Sequence, residues 1–274
     1  MTTGISTDDG SVVKNYNIHV SKHPVISHKI SLLRSSASAA FRSTVRELTV
    51  HIGFEATSKL TTKPIKISVA VPSANDALAS GVVDRMEYIG DSLSERVCVV
   101  PILRSGLGMC DAMLELVPHA AVHHIGMYQA EPMPVQYFNR LPKRCDADVA
   151  YILDPIIADA RTIISVIGIL KRWGVPRIHV VSIIASQDGI KRIVESHPDV
   201  EVNIGAVDEI VTGDGRMIQG IGDTSARLFG PPLDDGEEIL LHPSKKKRNK
   251  NTVEKKKVTP KEDVAISLDL TRAH

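Results

Sequence analysis

Aromatic residues are scarce in this chain, 4% of 274 residues, with Trp173 as the single tryptophan. Aliphatic side chains must therefore supply the core, and a hydrophobic fraction of 43% suffices for one and is too high for a largely disordered chain. Cysteine is equally sparse. Cys98, Cys110 and Cys145 have no CxxC or Cys/His metal spacing and cannot build a disulfide framework, which points to a reducing compartment, the cytoplasm. No apolar run approaches the roughly 18–20 residues of a membrane span, so no membrane role is expected. The polar, acidic start carries neither a signal-peptide core nor an Arg-rich presequence. GxSxG, HExxH and Walker A patterns are absent. His23, His28, His123 and His124 have no carboxylate or cysteine at ligand spacing, so no protein-held metal is expected.

Net charge is also nearly absent, at +1, but it is unevenly spread. Residues 245–261 hold eight Lys, one Arg and one Glu, a net +8, which leaves −7 for the rest. A mildly acidic body argues against a fold that grips nucleic acid. The basic tail could bind RNA or an acidic partner, or serve as a nuclear-import address, and the plain alternative is a solvated disordered segment. No aromatic residues interleave its lysines, so base stacking there is not expected.

Three regions emerge: a loose polar leader over 1–20, a folded domain over 21–232, and a polar, polybasic tail over 233–274. Within 30–53, apolar residues at helical intervals suggest one or two amphipathic helices closed by Gly53. The alternation at Ile65, Ile67 and Val69, followed by turn residues, predicts a hairpin arm between Lys63 and Asp91. Beyond Arg96, short Val- and Ile-rich runs predict strands at 97–101, 121–127, 149–153, 178–185 and 200–206. Helical stretches at 107–116, 162–173 and 189–196 separate several of them. Continuous β-branched runs suit strands buried on both faces, so the expected fold is α/β, a mostly parallel twisted sheet with helices on both faces.

In such a sheet, ligands sit beyond the carboxyl ends of the strands. Three loops lie there. In Leu103-Arg-Ser-Gly-Leu-Gly108, Gly106 and Gly108 would permit close approach of a ligand to main-chain amides, and Arg104 could hold a phosphate or pyrophosphate. An ordinary strand–helix turn with a surface arginine explains the same residues equally well. In Leu153-Asp-Pro-Ile-Ile-Ala-Asp-Ala-Arg-Thr162, Asp154 could accept hydrogen bonds from ligand hydroxyls, and Asp159 or Thr162 could cap the next helix. In the long loop ending at Gly230, the closely spaced Gly220 and Gly222 would expose backbone groups to a flat heterocycle.

Together these loops resemble those of the uracil phosphoribosyltransferase family. The match runs in register from Lys22-His-Pro-Val-Ile-Ser-His-Lys29 to Arg227-Leu-Phe-Gly230, through Phe54-Glu-Ala-Thr57, Val100-Pro-Ile-Leu-Arg-Ser-Gly-Leu-Gly-Met109, Ile125-Gly-Met-Tyr128, Ser196-His-Pro-Asp199 and Gly220-Ile-Gly-Asp223. The resemblance implies a type I phosphoribosyltransferase core with N-terminal helices and the hairpin arm as an oligomer interface. It also implies pyrimidine salvage: uracil and phosphoribosyl pyrophosphate (PRPP) give UMP and pyrophosphate, with Mg²⁺ carried by PRPP. By position it assigns Arg104 to the pyrophosphate, and Asp154, Pro155, Ile156, Ile157, Ala158, Asp159, Ala160, Arg161 and Thr162 to PRPP. Met217, Gly222 and Thr224 fall at uracil-contacting places, with Asp223 between PRPP and the base. Arg104 and Asp223 would be the catalytic residues.

The resemblance breaks at the ligand loops. Where the family reads Asp-Pro-x-x-Ala-Thr-Gly-Gly-Ser, this chain has Asp159, Ala160 and Arg161 in place of Thr-Gly-Gly. Side chains crowd a bare phosphate cradle, and any position needing φ > 0 is strained. A carboxylate about 5 Å from the phosphate would cost roughly 3 kcal/mol, about a hundredfold in affinity. Gln129 replaces an arginine, Gln219 a proline, and Gly222-Asp-Thr-Ser-Ala-Arg227 lacks the second Gly and Asp of Gly-Asp-x-Gly-Asp-Arg. These departures predict reduced or lost turnover. The alternative is a non-catalytic paralogue, a scaffold or binding subunit in a homo-oligomer or with an active homologue.

Overall fold

The Val- and Ile-rich runs pair with one another in parallel. The structure, a computed structural model, describes residues 4–6, 12–14, 17–71, 84–130, 132–208 and 220–230. In chain order its elements are β1 (Gly4–Ser6), β2 (Val12–Lys14), β3 (Ile18–Val20), α1 (Pro24–Ser35), α2 (Ser38–Thr57), β4 (Thr62–Val71) and β5 (Asp84–Leu93). There follow β6 (Val97–Leu103), α3 (Leu107–Leu116), β7 (Ala121–Val122), β8 (Ile125–Tyr128), β9 (Val135–Asn139), β10 (Val149–Leu153) and β11 (Ile156–Ile157). The last are α4 (Arg161–Trp173), β12 (Arg177–Ser186), α5 (Gln187–Ser196), β13 (Glu201–Asp208) and α6 (Thr224–Phe229). The chain divides after Pro232, and the second unit, which contains the basic tail, lies outside the described residues.

The main sheet runs β3-β13-β12-β10-β6-β8-β9, with β11 beside β12 and β7 beside β6. Every pairing in it is parallel except β8 with β9 at the edge. The expected class is therefore the one found. Alternate residues of β6 serve two cores: Cys98, Val100 and Ile102 pack with α4 and α5, whereas Val97 and Val99 pack with α1, α2 and α3. Period-two alternation between two apolar layers is why these strands carry no polar face. No helix among the described residues is long and apolar enough to cross a membrane.

Several expectations need correction. Gly53 does not close a helix, because α2 continues to Thr57. A Cβ at Gly53 would stand 2.7 Å from both Leu116 Cδ1 and Met113 Sδ, so this glycine marks where α2 presses on α3. The strand expected over 121–127 is two short strands, with His123 and His124 between them. Part of the expected leader is strand: β1 pairs with β2, and β3 joins the sheet edge beside β13. The hairpin arm is present as the antiparallel pair β4/β5.

Candidate active site

A cleft of about 760 Å³ opens beyond the carboxyl ends of β6 and β10. Arg104, Ser105, Gln129, Asp154, Ile156, Ala158 and Thr162 line it, and so does the run from Gly220 to Ser225. The structure thus gathers all three loops singled out in the sequence around one space. A smaller cavity of about 120 Å³ adjoins it, lined by Gln129, Asp154, Ile157, Asp159, Ala160 and Thr162 among others. Met217 lies outside the described residues, as do Gly215 and Gln219.

Arg104 follows β6 directly, with a cis peptide between Leu103 and itself. Its side chain is exposed. Gly106 and Gly108 also have a packing role. A Cβ at Gly106 would lie 2.3 Å from the Leu153 carbonyl oxygen and 2.6 Å from the Ile102 amide nitrogen, and one at Gly108 would meet Leu228 at 2.7 Å. These absences of side chain let the loop lie against β10 and let α3 meet α6.

Asp154, at the end of β10, accepts a hydrogen bond from the Ser105 hydroxyl at 3.0 Å. Burial pushes its carboxyl up to about 7, against the opposing influence of that hydroxyl and of the Ile156 amide. Pro155 lines neither cavity, since its carbonyl is turned to the sheet and accepts from the amides of Ile183 and Ile184. Two residues not singled out in the sequence shape this loop. The Ser186 hydroxyl donates to the Ala158 carbonyl and accepts from the Gly189 amide at 2.8 Å. A Cβ at Gly189 would fall 2.5 Å from the same Ala158 oxygen. The local signal was the N-cap serine opening Ser186-Gln-Asp-Gly189, visible but silent about what it would hold.

The N-terminus of α4 is where the chain departs most from its resemblance. Neither Asp159 nor Thr162 is the N-cap residue. That position is Ala160, at φ 61° and ψ 0°, in the left-handed region that a glycine would occupy without cost. Asp159 nevertheless engages the helix end, because its Oδ1 accepts from the Arg161 amide at 3.1 Å. Its Oδ2 takes the Arg161 Nε at 2.5 Å. The expected uncompensated carboxylate is therefore corrected to an internal ion pair, and Arg161 lines neither cavity.

On the far wall, Asp223 caps α6 by accepting from the Ala226 amide at 2.9 Å, with its side chain exposed. Thr224 is 6% exposed, and its Oγ1 is buried without a hydrogen-bond partner. An unsatisfied buried hydroxyl is a costly arrangement, and with its oxygen covered it meets a polar ligand edge only if the wall moves. Gly222 sits at φ 70°. Among the described residues, no three His, Cys, Asp or Glu side chains are grouped to hold a metal ion.

The family described as "Uracil phosphoribosyltransferase" matches residues 20–231. A uracil phosphoribosyltransferase of Roseiflexus sp. (strain RS-1) is 36% identical over 219 residues, covering 78% of this chain and 98% of that one. One from Streptococcus pneumoniae is 35% identical over 217 residues, with the same coverages. Among solved structures, the AQ2163 protein of Aquifex aeolicus superposes with a TM-score of 0.64 at 28% identity, covering 78% of this chain and 98% of that one.

Proposed function

This chain belongs to the uracil phosphoribosyltransferase family, and from that premise we propose that its cleft takes uracil and PRPP for pyrimidine salvage, with PRPP binding and turnover attenuated. Asp154 accepts the ribose hydroxyls, Arg104 neutralises the pyrophosphate, and the 220–225 wall receives the base. Asp223 stands between the two substrates. Transfer replaces the bond from ribose C1 to pyrophosphate with one to a uracil nitrogen, whose proton is released. The protein's share is orientation and charge stabilisation. Mg²⁺ belongs to the substrate: it would arrive on the pyrophosphate and spread its charge.

One observation carries the attenuation. The Asp159 carboxylate already holds the first amide of α4 and the Arg161 guanidinium, the donors a 5′-phosphate would need. A phosphate must displace that anion and settle against Ala160 and Arg161 side chains. The test is calorimetric titration with PRPP–Mg²⁺, paired with an assay of UMP formed from labelled uracil. The triple replacement Asp159→Thr, Ala160→Gly, Arg161→Gly frees the amides at the start of α4 and is expected to bind PRPP at least about tenfold more tightly than the native chain and to form UMP faster. Micromolar PRPP binding and brisk UMP formation by the native chain would overturn the attenuation. If the restored loop also fails to bind, the same observation favours the second reading, a non-catalytic member acting as a binding subunit.

A further inference from the structure

The base-side wall of the cleft is held from behind by two arginines that do not themselves line it. Arg34, in the last turn of α1, grips Asp208 with both terminal nitrogens, Nη2 to Oδ1 at 2.7 Å and Nη1 to Oδ2 at 3.1 Å. Its Nη1 also donates to the Gly220 carbonyl at 3.0 Å. Asp208 ends β13 and Gly220 is the first cleft-lining residue of the wall, so one guanidinium binds both ends of the segment 209–219. Arg227, in α6, reaches the opposite way. Its Nη2 donates to the carbonyls of Leu33 at 3.2 Å and Ser36 at 2.6 Å, and its Nη1 to the Ile221 carbonyl at 2.6 Å. Its guanidinium also stacks on the Phe41 ring at 3.8 Å.

The two side chains therefore form a reciprocal clasp. A cation from the helix grips the wall, and a cation from the wall donates to carbonyls at the helix's C-terminal end, which no amide of α1 reaches. Planar five-donor guanidinium groups satisfy several fixed oxygens in one rigid fork, a geometry that a lysine's point-like ammonium reproduces only in part. Asp208 is 4% exposed, so its charge is accepted only because Arg34 meets it in bidentate geometry. Between them the arginines fix the backbone at Gly220 and Ile221, immediately before Gly222, Asp223 and Thr224.

We propose that Arg34 and Arg227 are positioning residues for recognition of the base: they set the main chain of 220–224, and with it the presentation of its backbone groups to the base, and they bear on PRPP only through Asp223. This rests on the assignment of the cleft to uracil and PRPP, and the experiment separates the two. Hydrogen–deuterium exchange is followed on the full ligand-free chain for Arg34→Met, Arg34→Lys, Arg227→Met and the double variant Arg34→Met/Asp208→Asn. The double variant avoids leaving Asp208 buried without a counter-charge. Each variant is also titrated separately with uracil and with PRPP–Mg²⁺.

The clasp predicts exchange at 220–225 at least tenfold faster in Arg34→Met and the double variant, with β10 and β12 as protected as in the native chain. It predicts uracil affinity down at least tenfold and PRPP affinity, reached only through Asp223, down less than threefold, with partial recovery of both readouts in Arg34→Lys. Unchanged exchange at 220–225, or a rise spread equally through the sheet, overturns the inference. Equal losses of uracil and PRPP affinity do so as well. If the native chain binds neither substrate, the functional assignment falls, and base positioning falls with it, whereas native binding with variants that behave as the native chain sinks the clasp alone.

Discussion

Asp154 shows how one residue can be placed by sequence while its chemistry is not. Its position after a buried strand marks it as a ligand-facing carboxylate, but the elevated pKa comes from burial by the walls around it, against the lowering influence of the Ser105 and Ile156 groups. With a folded value of about 7 against about 3.9 when unfolded, the folded state holds the extra proton between these limits. That contribution to stability is fully present below about pH 4 and is lost as pH rises through 7. Asp154→Asn removes the dependence, so its melting temperature should gain on the native chain more at pH 8 than at pH 5, by several degrees at roughly 2–4 °C per kcal/mol. Native PRPP affinity, followed by calorimetry, should rise over pH 6 to 8, because the carboxylate is a stronger acceptor for ribose hydroxyls than the neutral acid. Thermal scans at both pH values check the first statement. An equal difference at pH 5 and pH 8 would sink it.

At the scale of an element, α4 is the instructive case. Its apolar spacing, with Ile163, Val166, Ile167 and Leu170 buried, was legible, and so was its end at Trp173 before Gly174. Its start was not. Helix capping rules favour Asp159 or Thr162, yet the cap position is Ala160, because the loop path set by Pro155 and Ser186 requires a left-handed residue there. Gly53 was misread for a related reason: a glycine's use depends on what packs opposite it, and sequence spacing does not name that neighbour. Holding a non-glycine residue in the left-handed region costs roughly 1–2 kcal/mol. Glycine would return about 0.5–1 kcal/mol of that through its freer unfolded chain. Ala160→Gly should therefore stabilise the protein by about 0.5–1 kcal/mol, read as a higher urea midpoint at unchanged slope. A lower midpoint would mean that the Ala160 methyl contributes more to packing than its backbone costs.

At the scale of the whole molecule, the sequence made the parallel sheet and the gathering of three loops readable, because both follow from strand order and from where strands end. The Arg34 and Arg227 clasp was not readable, since its partners are backbone carbonyls about two hundred positions away that carry no sequence signal. The hairpin arm falls between these cases. Its existence was legible, and its one-sidedness appears only with the register: Ile67 faces Tyr88 and Val69 faces Met86, so Ile65, Ile67, Val69, Met86 and Tyr88 share a face. On the other face, Lys66 pairs with Glu87. Met86 and Tyr88 are 62% and 61% exposed, an apolar ladder on an isolated two-stranded ribbon that is marginal in water unless something covers it. A second copy of this chain is the natural cover, since a self-complementary face closes a dimer without leaving an open edge. Sedimentation velocity at micromolar concentration should give an oligomer for the native chain and a monomer for Tyr88→Glu, which buries a charge in that face. Glu87→Gln, which removes only an exposed ion pair worth little on the opposite face, should sediment as the native chain does. A native monomer, or a Tyr88→Glu variant that keeps the native sedimentation coefficient, would show that the ladder is covered by something other than its own copy.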